Sequence, residues 1–382
     1  MIDISILIVN YNVRCFTEHC LLSVLHATAS QSVEIIVADN ASTDNSREYL
    51  EERFPTVRFI WLPENLGFAK ANNLAMQAAQ GQYFLLLNPD TLLPEKALQQ
   101  ALDFMQSHPE AGALGFKMID GAGRYLKESK RGFPSPLASF FKLSGLAALF
   151  PTSSIVARYY AGHLPINEVN PVDALAGAAM LVRREVWQKT QGFDERFFMY
   201  AEDIDWSYRI REAGWQCYYF PPLRLLHFKG ESTQKQSRSY VNRFYGAMWL
   251  FVQKHYTKRT LLKAGMYLSI ALGRTLAGIK YAWLSVFHTT IPANKQPLPV
   301  FVVANQSSFT PMVALIQQSE RPLQLQGRIA IHATDQAYSK GLLQQLDTIL
   351  QAHPVAGIVF NLSDPGYESC LYWMEQLPNR YQ

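Results

Sequence analysis

Apolar residues cluster in short blocks along the first hundred positions. Ile4-Ser5-Ile6-Leu7-Ile8-Val9, Glu34-Ile35-Ile36-Val37-Ala38, Val57-Arg58-Phe59-Ile60-Trp61-Leu62 and Tyr83-Phe84-Leu85-Leu86-Leu87 are β-branched or apolar runs. Runs of this length without alternation read as strands buried on both faces. Helical spacing fills the gaps. A helix is predicted from about Cys15 to His26, another with Ala71, Leu74, Ala75 and Ala78 on one face, and a third with Leu98, Ala101, Leu102 and Met105 after Pro94. Four strand–helix alternations predict a doubly wound parallel α/β sheet.

The pattern weakens from Leu114 to Asn170. Gly121-Ala122-Gly123 reads as a turn. Ser135 to Phe150 is mostly apolar but shorter than the roughly 20 residues that span a bilayer, leaving a core helix or a flap near lipid. Strand character resumes from Val172 to Val182. Glu202-Asp203 then opens an amphipathic helix in which Ile204, Ile210 and Ala213 share a face, with Gly214 as the stop. Cys217–Phe220 and Leu223–Leu226 read as two strands, the second ending at His227. Ser239 to Tyr256 is an aromatic-rich helix that closes a first domain, residues 1–257.

The last third changes character. Residues 258–288 are apolar but carry Lys258, Arg259, Lys263, Arg274 and Lys280 with no acid among them. A spanning helix carries few or no charges. The segment is either a basic amphipathic helix on an anionic membrane surface, with Tyr267, Tyr281 and Trp283 at the interface, or a helix packed on the first domain. It runs into a linker ending at Pro297. Residues 298–382 hold three strands, Val300–Val303, Arg328–Ile331 and Gly357–Phe360, each followed by a helical pattern. This predicts a small Rossmann-like module. Its first loop, Ala304-Asn305-Gln306-Ser307-Ser308, lacks glycine and so argues against a dinucleotide. A structural or partner-docking role is expected for it.

Composition narrows the class. With 48% hydrophobic and 17% charged residues the chain is globular, and a net charge of +4 is too mild to indicate nucleic acid. Cys15, Cys20, Cys217 and Cys370 form no C-x-x-C pair, which suits a reducing cytoplasm. Met1-Ile2-Asp3 leads straight into a strand, with no basic or cleavable leader expected.

The candidate chemistry lies at strand ends, where ligands of open α/β sheets bind. No G-x-G-x-x-G follows the first strand, which removes the dinucleotide fingerprint. Asp39 lies too early to cap the next helix. Asp90 suits a hard cation or a turn, and His227 ends a strand as both acids do. Glu202 and Asp203 sit where the helix dipole favours negative charge, as a carboxylate general base requires, and as ordinary capping would also produce.

Ile8-Val9-Asn10-Tyr11-Asn12, Val37 through Asp44, Glu64-Asn65-Leu66-Gly67-Phe68, Asn88-Pro89-Asp90, Gly177, Gly192-Phe193-Asp194-Glu195, Glu202-Asp203 and His227 occur here in one order. Over about residues 3–256 this set resembles the family 2 glycosyltransferases, inverting enzymes with a GT-A fold, and most of all their rhamnosyltransferase-type members. The resemblance implies a donor side made by Asn10, Asn12, Asp39, Asn65, Gly67, Asn88 and Asp90, with Asp39 accepting a hydrogen bond from the base. It implies a divalent metal, Mg²⁺ or Mn²⁺, on Asp90 and His227, and an acceptor side with Gly177 and Asp194. Asp203 would be the general base and Glu202 its neighbour. The donor would be a dTDP- or UDP-sugar, and the acceptor a lipid-linked saccharide or glycan in bacterial surface polysaccharide synthesis. The enzyme would be cytoplasmic, with peripheral attachment to the inner face of the membrane. The family's metal motif is usually Asp-x-Asp. Asn88 at the first position removes one carboxylate and motivates one rival, a scaffold that binds nucleotide sugar without turnover; a second rival is a sugar nucleotidyltransferase on a related sheet. The second needs a Gly-rich loop after the first strand, which Asn10-Tyr11-Asn12 is not. The C-terminal module resembles Rossmann-like domains of some bacterial sugar-phosphate transferases.

Overall fold

A computed structural model of the chain describes residues 2–28, 31–135, 149–150, 152–229, 238–256, 263–268, 270–272, 274–275, 297–319, 322–336, 338–353 and 357–377. Most of the apolar stretch 135–150, most of the basic segment and linker 258–297, and Gly230-Glu231-Ser232 lie outside the described residues.

Three parallel strands open the fold: β1 (Ile4–Asn10), β2 (Val33–Asp39) and β3 (Arg58–Trp61). With β4 (Tyr83–Leu87), β5 (Thr91–Leu92), β6 (Ala111–Ile119), β7 (Asn170–Val172), β8 (Ala179–Arg183) and β9 (Gln216–His227) they build one sheet. Its order is β3-β2-β1-β4-β8-β6-β9-β5, with β7 on β9. Most of its paired residues are parallel; β8, β5 and β7 run antiparallel to their neighbours. This is the doubly wound, mixed, mostly parallel α/β sheet expected from the GT-A resemblance, and its parallel strands are those that the alternating blocks predict.

Helices cover both faces. On one, α1 (Arg14–Ala27), α2 (Ser46–Arg53) and α4 (Ala97–Ser107) bury Leu21, Val24, Leu50, Leu98 and Met105 against inward residues of β1, β2, β4 and β6. On the other, α3 (Gly67–Ala78), α5 (Arg184–Thr190) and α6 (Glu202–Glu212) contribute Ala71, Ala75, Val186, Trp206 and Ile210. Then α7 (Arg238–His255) packs Ala247 and Phe251 on Ile204 and Ala201, at the start of α6. Asp205 is wholly buried and ties the two helices, binding His255 Nε2 at 2.7 Å, Lys254 Nζ at 2.8 Å and Arg209 Nε at 2.9 Å.

Three expectations change. The weak region after Leu114 contains β6, nine residues all buried. The strand expected over Val172–Val182 is two strands separated by a loop at 173–178. The two strands expected from Cys217 to Leu226 are one, β9, with a shift of register between Phe116 and Lys117 of its partner β6. Pro221 and Pro222 at that shift bring no N–H to the ladder.

The C-terminal module is a three-stranded parallel sheet, β11-β10-β12, of β10 (Leu298–Val303), β11 (Leu323–Ile329) and β12 (Gly357–Phe360). Its helices are α8 (Gln306–Gln317), α9 (Leu346–Ala352) and α10 (Tyr367–Gln376). The middle strand expected over 328–331 begins five residues earlier, with the alternating Leu323-Gln324-Leu325-Gln326 at its start.

Among the described residues no helix is long and apolar enough to cross a membrane.

Candidate active site

Parallel pairing sets Asn10 of β1 opposite Asp39 of β2. Their side chains bond, Asn10 Nδ2 donating to Asp39 Oδ2 at 2.6 Å, and Thr17 Oγ1 donates to Asn10 Oδ1 at 2.7 Å. Ser42 N donates to the other Asp39 oxygen at 2.7 Å. Asn12 is similarly engaged: its amide donates to Ser42 Oγ at 2.9 Å and its Oδ1 accepts from Thr43 N at 2.7 Å. Asn40 joins the next loop, accepting from Leu66 N at 2.8 Å and donating to Gly67 O at 3.1 Å. Gly67 has φ +82°, and a Cβ there would lie 2.5 Å from Phe198 O. Only glycine permits both that backbone and that approach. These bonds make a rigid rim around a cavity of about 620 Å³ lined by Tyr11, Asn40, Asn65, Gly67, Asn88, Gly177, Glu202, Asp203 and His227, among others.

One wall carries His227, with Asp90 behind it. The antiparallel pair β5–β9 sets His227 opposite Thr91, the residue after Asp90. His227 Nε2 lies 3.3 Å from Asp90 Oδ1, and both side chains are buried. His227 Nδ1 is buried without a hydrogen-bond partner. Among the described residues no group of three or more His, Cys, Asp or Glu gathers to hold a metal. One carboxylate oxygen and one imidazole nitrogen facing each other fit a hard or borderline cation whose remaining ligands come from a phosphate and water. Lys229, two residues on, is paired with Glu128 on the same cavity. Burial raises the Glu128 pKa, but the Lys229 bond outweighs it and the net shift is down.

The opposite wall is the start of α6. Tyr200 and Ala201 have φ of 75° and 62°, two successive left-handed non-glycine residues. Each costs of order 1 kcal/mol and persists only where the surroundings enforce it. The turn they make presents Glu202 and Asp203 to the cavity. Asp203 Oδ2 accepts from Arg131 Nη2 at 2.5 Å and from Gly177 N at 3.0 Å. A Cβ on Gly177 would stand 3.3 Å from that of Asp203, so the glycine allows the close approach. Asp203 Oδ1 takes only the Ile204 amide, at 2.7 Å. Burial opposes the Arg131 charge, and Asp203 more than offsets it, raising the Arg131 pKa. Glu202 is buried with Oε2 unpaired. Burial first, and the Asp203 charge second, push its pKa well above the ordinary carboxylate range. A carboxyl raised this far, beside a second one on the same cavity, is a mark of functional sites.

The expected site residues therefore divide into three groups. Asn65, Gly67, Asn88, Gly177, Glu202, Asp203 and His227 meet on one cavity. Asn10, Asn12, Asp39 and Asp90 lie behind its lining and hold its loops or its His227. Asp194 binds Arg196 at 2.6 Å and Lys254 at 2.7 Å and is absent from the lining. The Arg196 bond outweighs burial and, with Lys254, holds the Asp194 carboxyl far below its usual range. Arg131 and the aromatic wall of Tyr159, Tyr160, Tyr200, Phe244 and Tyr245 were not foreseen. Arg131 lies 72 residues from Asp203 in the chain, and its basic stretch, Lys127 to Arg131, reads as solvated surface.

The family model described as Glycosyl transferase family 2 matches residues 5–165. An N-acetylglucosaminyl-diphospho-decaprenol L-rhamnosyltransferase of Mycobacterium tuberculosis is 30% identical over 260 residues, covering 65% of this chain and 83% of that one. Rhamnosyltransferase WbbL of Escherichia coli is 30% identical over 169 residues, 42% of this chain and 61% of that one. Among solved structures, a mannosyltransferase from Pyrobaculum calidifontis in complex with GDP-Man and Mn²⁺ aligns with a TM-score of 0.47 at 15% identity, over 83% of this chain and 81% of that one. These relatives favour turnover over a non-catalytic scaffold.

Proposed function

The chain belongs to glycosyl transferase family 2, and we propose that it moves rhamnose or a related hexose from a dTDP- or UDP-sugar to a lipid-linked saccharide, with inversion. The observation that carries this reading is one cavity lined by Asp203 and Glu202 and also by His227, with Asp90 against His227 behind the lining.

Asp203 is the general base. Arg131 and Gly177 both bind Oδ2 and fix the carboxylate, leaving lone pairs on Oδ1 for the acceptor hydroxyl. Such fixed orientation lowers the entropic cost of the attack. Neutral Glu202 adds no second negative charge beside the base. One base on the face opposite the leaving group makes a single displacement, as in inverting hydrolysis with an alcohol replacing water. Asp90 and His227 would hold Mg²⁺ or Mn²⁺, which neutralises charge on the departing nucleoside diphosphate as a Lewis acid. Asp39 retains lone pairs beyond its bonds to Asn10 and Ser42, and serves the nucleotide base. The aromatic wall supplies faces for the acceptor's sugar or lipid.

The relative named for N-acetylglucosaminyl-diphospho-decaprenol motivates the lipid-linked acceptor. The helical stretch described at 263–268 and 270–272 supports peripheral attachment to a membrane surface. It packs Met266 and Ile270 on Val252 while Leu268 and Leu272 stay exposed between Lys263 and Arg274. Co-sedimentation with anionic but not neutral vesicles, released by salt, is the expected behaviour.

The test is a screen of nucleotide sugars with a polyprenyl-diphosphate N-acetylglucosamine acceptor, reading metal-dependent release of nucleoside diphosphate. Release with dTDP-rhamnose and acceptor supports the reading; no release with any donor in Mg²⁺ or Mn²⁺ overturns it.

A further inference from the structure

The strand that carries His227 is interrupted just before it. β6 pairs Phe116 with Phe220 and then Lys117 with Arg224, so residues 221–223 of β9 face no partner on β6. Two of them are prolines, which bring no N–H to the ladder. The register restarts by setting Lys117 directly beside Arg224, and like charges in that position repel. His227 follows three residues later. Where β9 rejoins β6 therefore decides how His227 meets Asp90.

The C-terminal module supplies the missing counter-charge. Glu375 on α10 pairs with Lys117 through one oxygen and with Arg224 Nε at 2.5 Å through the other. The helix that carries it is fixed to the large sheet at both ends. At its start, Glu95 accepts from Tyr367 N at 2.6 Å and Glu368 N at 2.9 Å. Along its length, Tyr367 and Leu371 are buried in one cluster with Leu92 of β5 and Leu226 of β9, and Phe228 packs on it. Near its end, the Met374 carbonyl crosses Gly123 so closely that a Cβ there would lie 1.8 Å from it.

We infer that Glu375 is a positioning residue: it pins the register of β9 beyond the two prolines and so holds His227 against Asp90. The module then has a role in the transferase reaction without binding a substrate. The inference rests on the assignment of Asp90 and His227 as the cation-holding pair.

The experiment is a titration of full-length protein with Mn²⁺ in the presence of nucleoside diphosphate, reading free Mn²⁺ by its paramagnetic resonance signal. Glu375→Gln should weaken Mn²⁺ binding about tenfold, the lower end for losing an outer-shell partner. Half-saturating metal in turnover should rise in step, with kcat at saturating metal near wild type. Glu375→Asp should recover part of the affinity, and it replaces Glu375→Gln should that variant fail to fold. Ile316→Ala, buried on the far face of the module, should lower Tm and leave Mn²⁺ affinity intact. Wild-type Mn²⁺ affinity in the Glu375 variants overturns the inference. So does equal loss in Ile316→Ala at an equal fall in Tm, which would make the effect one of stability. His227→Ala separates the two claims. If it binds Mn²⁺ like wild type, the ligand assignment itself has failed; if it loses Mn²⁺ while Glu375→Gln does not, only the register pin has.

Discussion

The parallel strands β2-β1-β4 of the large sheet and β11-β10-β12 of the small one share a strand order and differ at their strand ends. In the large sheet, loops after β1, β2 and β3 bond to one another around an open cavity. In the small one, strand-end carboxylates are spent on the module itself. Asp364 accepts from Asn305 N at 2.8 Å and Ser308 Oγ at 3.0 Å. Asp335 accepts from Gln306 N at 2.8 Å and from Arg328 Nη1 at 2.7 Å, and Arg328 is itself buried. A helix N-terminus of this kind would receive a phosphate elsewhere; here two carboxylates already occupy it. A strand-end position makes a site only when its polar groups face space rather than each other.

The sharpest way to break this contrast is Asp203→Asn. Turnover should fall at least ~10²-fold, the lower end for a general base, while calorimetric donor affinity stays at the wild-type value. Asp90→Ala and His227→Ala come next. Each should weaken donor binding in Mn²⁺ by ~10-fold or more, and both should match wild type in chelator; full metal-dependent activity in His227→Ala would make His227 structural. Glu202 gives a smaller, pH-dependent effect. Its pKa is raised in the fold. Its contribution to stability is therefore complete below the ordinary carboxylate value. It is lost as pH rises from there to the raised value, because the unfolded chain releases a proton that the fold retains. The slope reaches about 1.4 kcal/mol per pH unit in that window. Glu202→Gln should flatten it in urea midpoints measured across pH. The least is expected from the small sheet: Asp364→Ala removes a cap worth about 1 kcal/mol, lowering Tm with turnover unchanged. A fall in turnover at constant Tm would mean that the small sheet's strand ends hold a ligand after all.

The contrast also bears on what the sequence revealed. β1, β2 and β4 were legible because unbroken apolar runs need no knowledge of partners. β6 was not: Gly112, Gly115 and Lys117 break its run, yet all are buried, the lysine because Glu375 meets it from the far end of the chain. The same distance hid Arg131. Gly67 and Asn65 were readable because a turn and its glycine are local. The pairing of Asp194 with Arg196 and the distant Lys254, off the cavity lining, was not legible in its motif. Local chemistry could be read from the order of residues, but long-range pairing decided which carboxylates remain free to act.

The central claim is a single displacement with Asp203 as its one base. The most direct test is the anomeric configuration of the new glycosidic bond, read by NMR on product from a donor of known configuration. Inversion is predicted. Retention would require a second nucleophile on the donor face and would contradict the account.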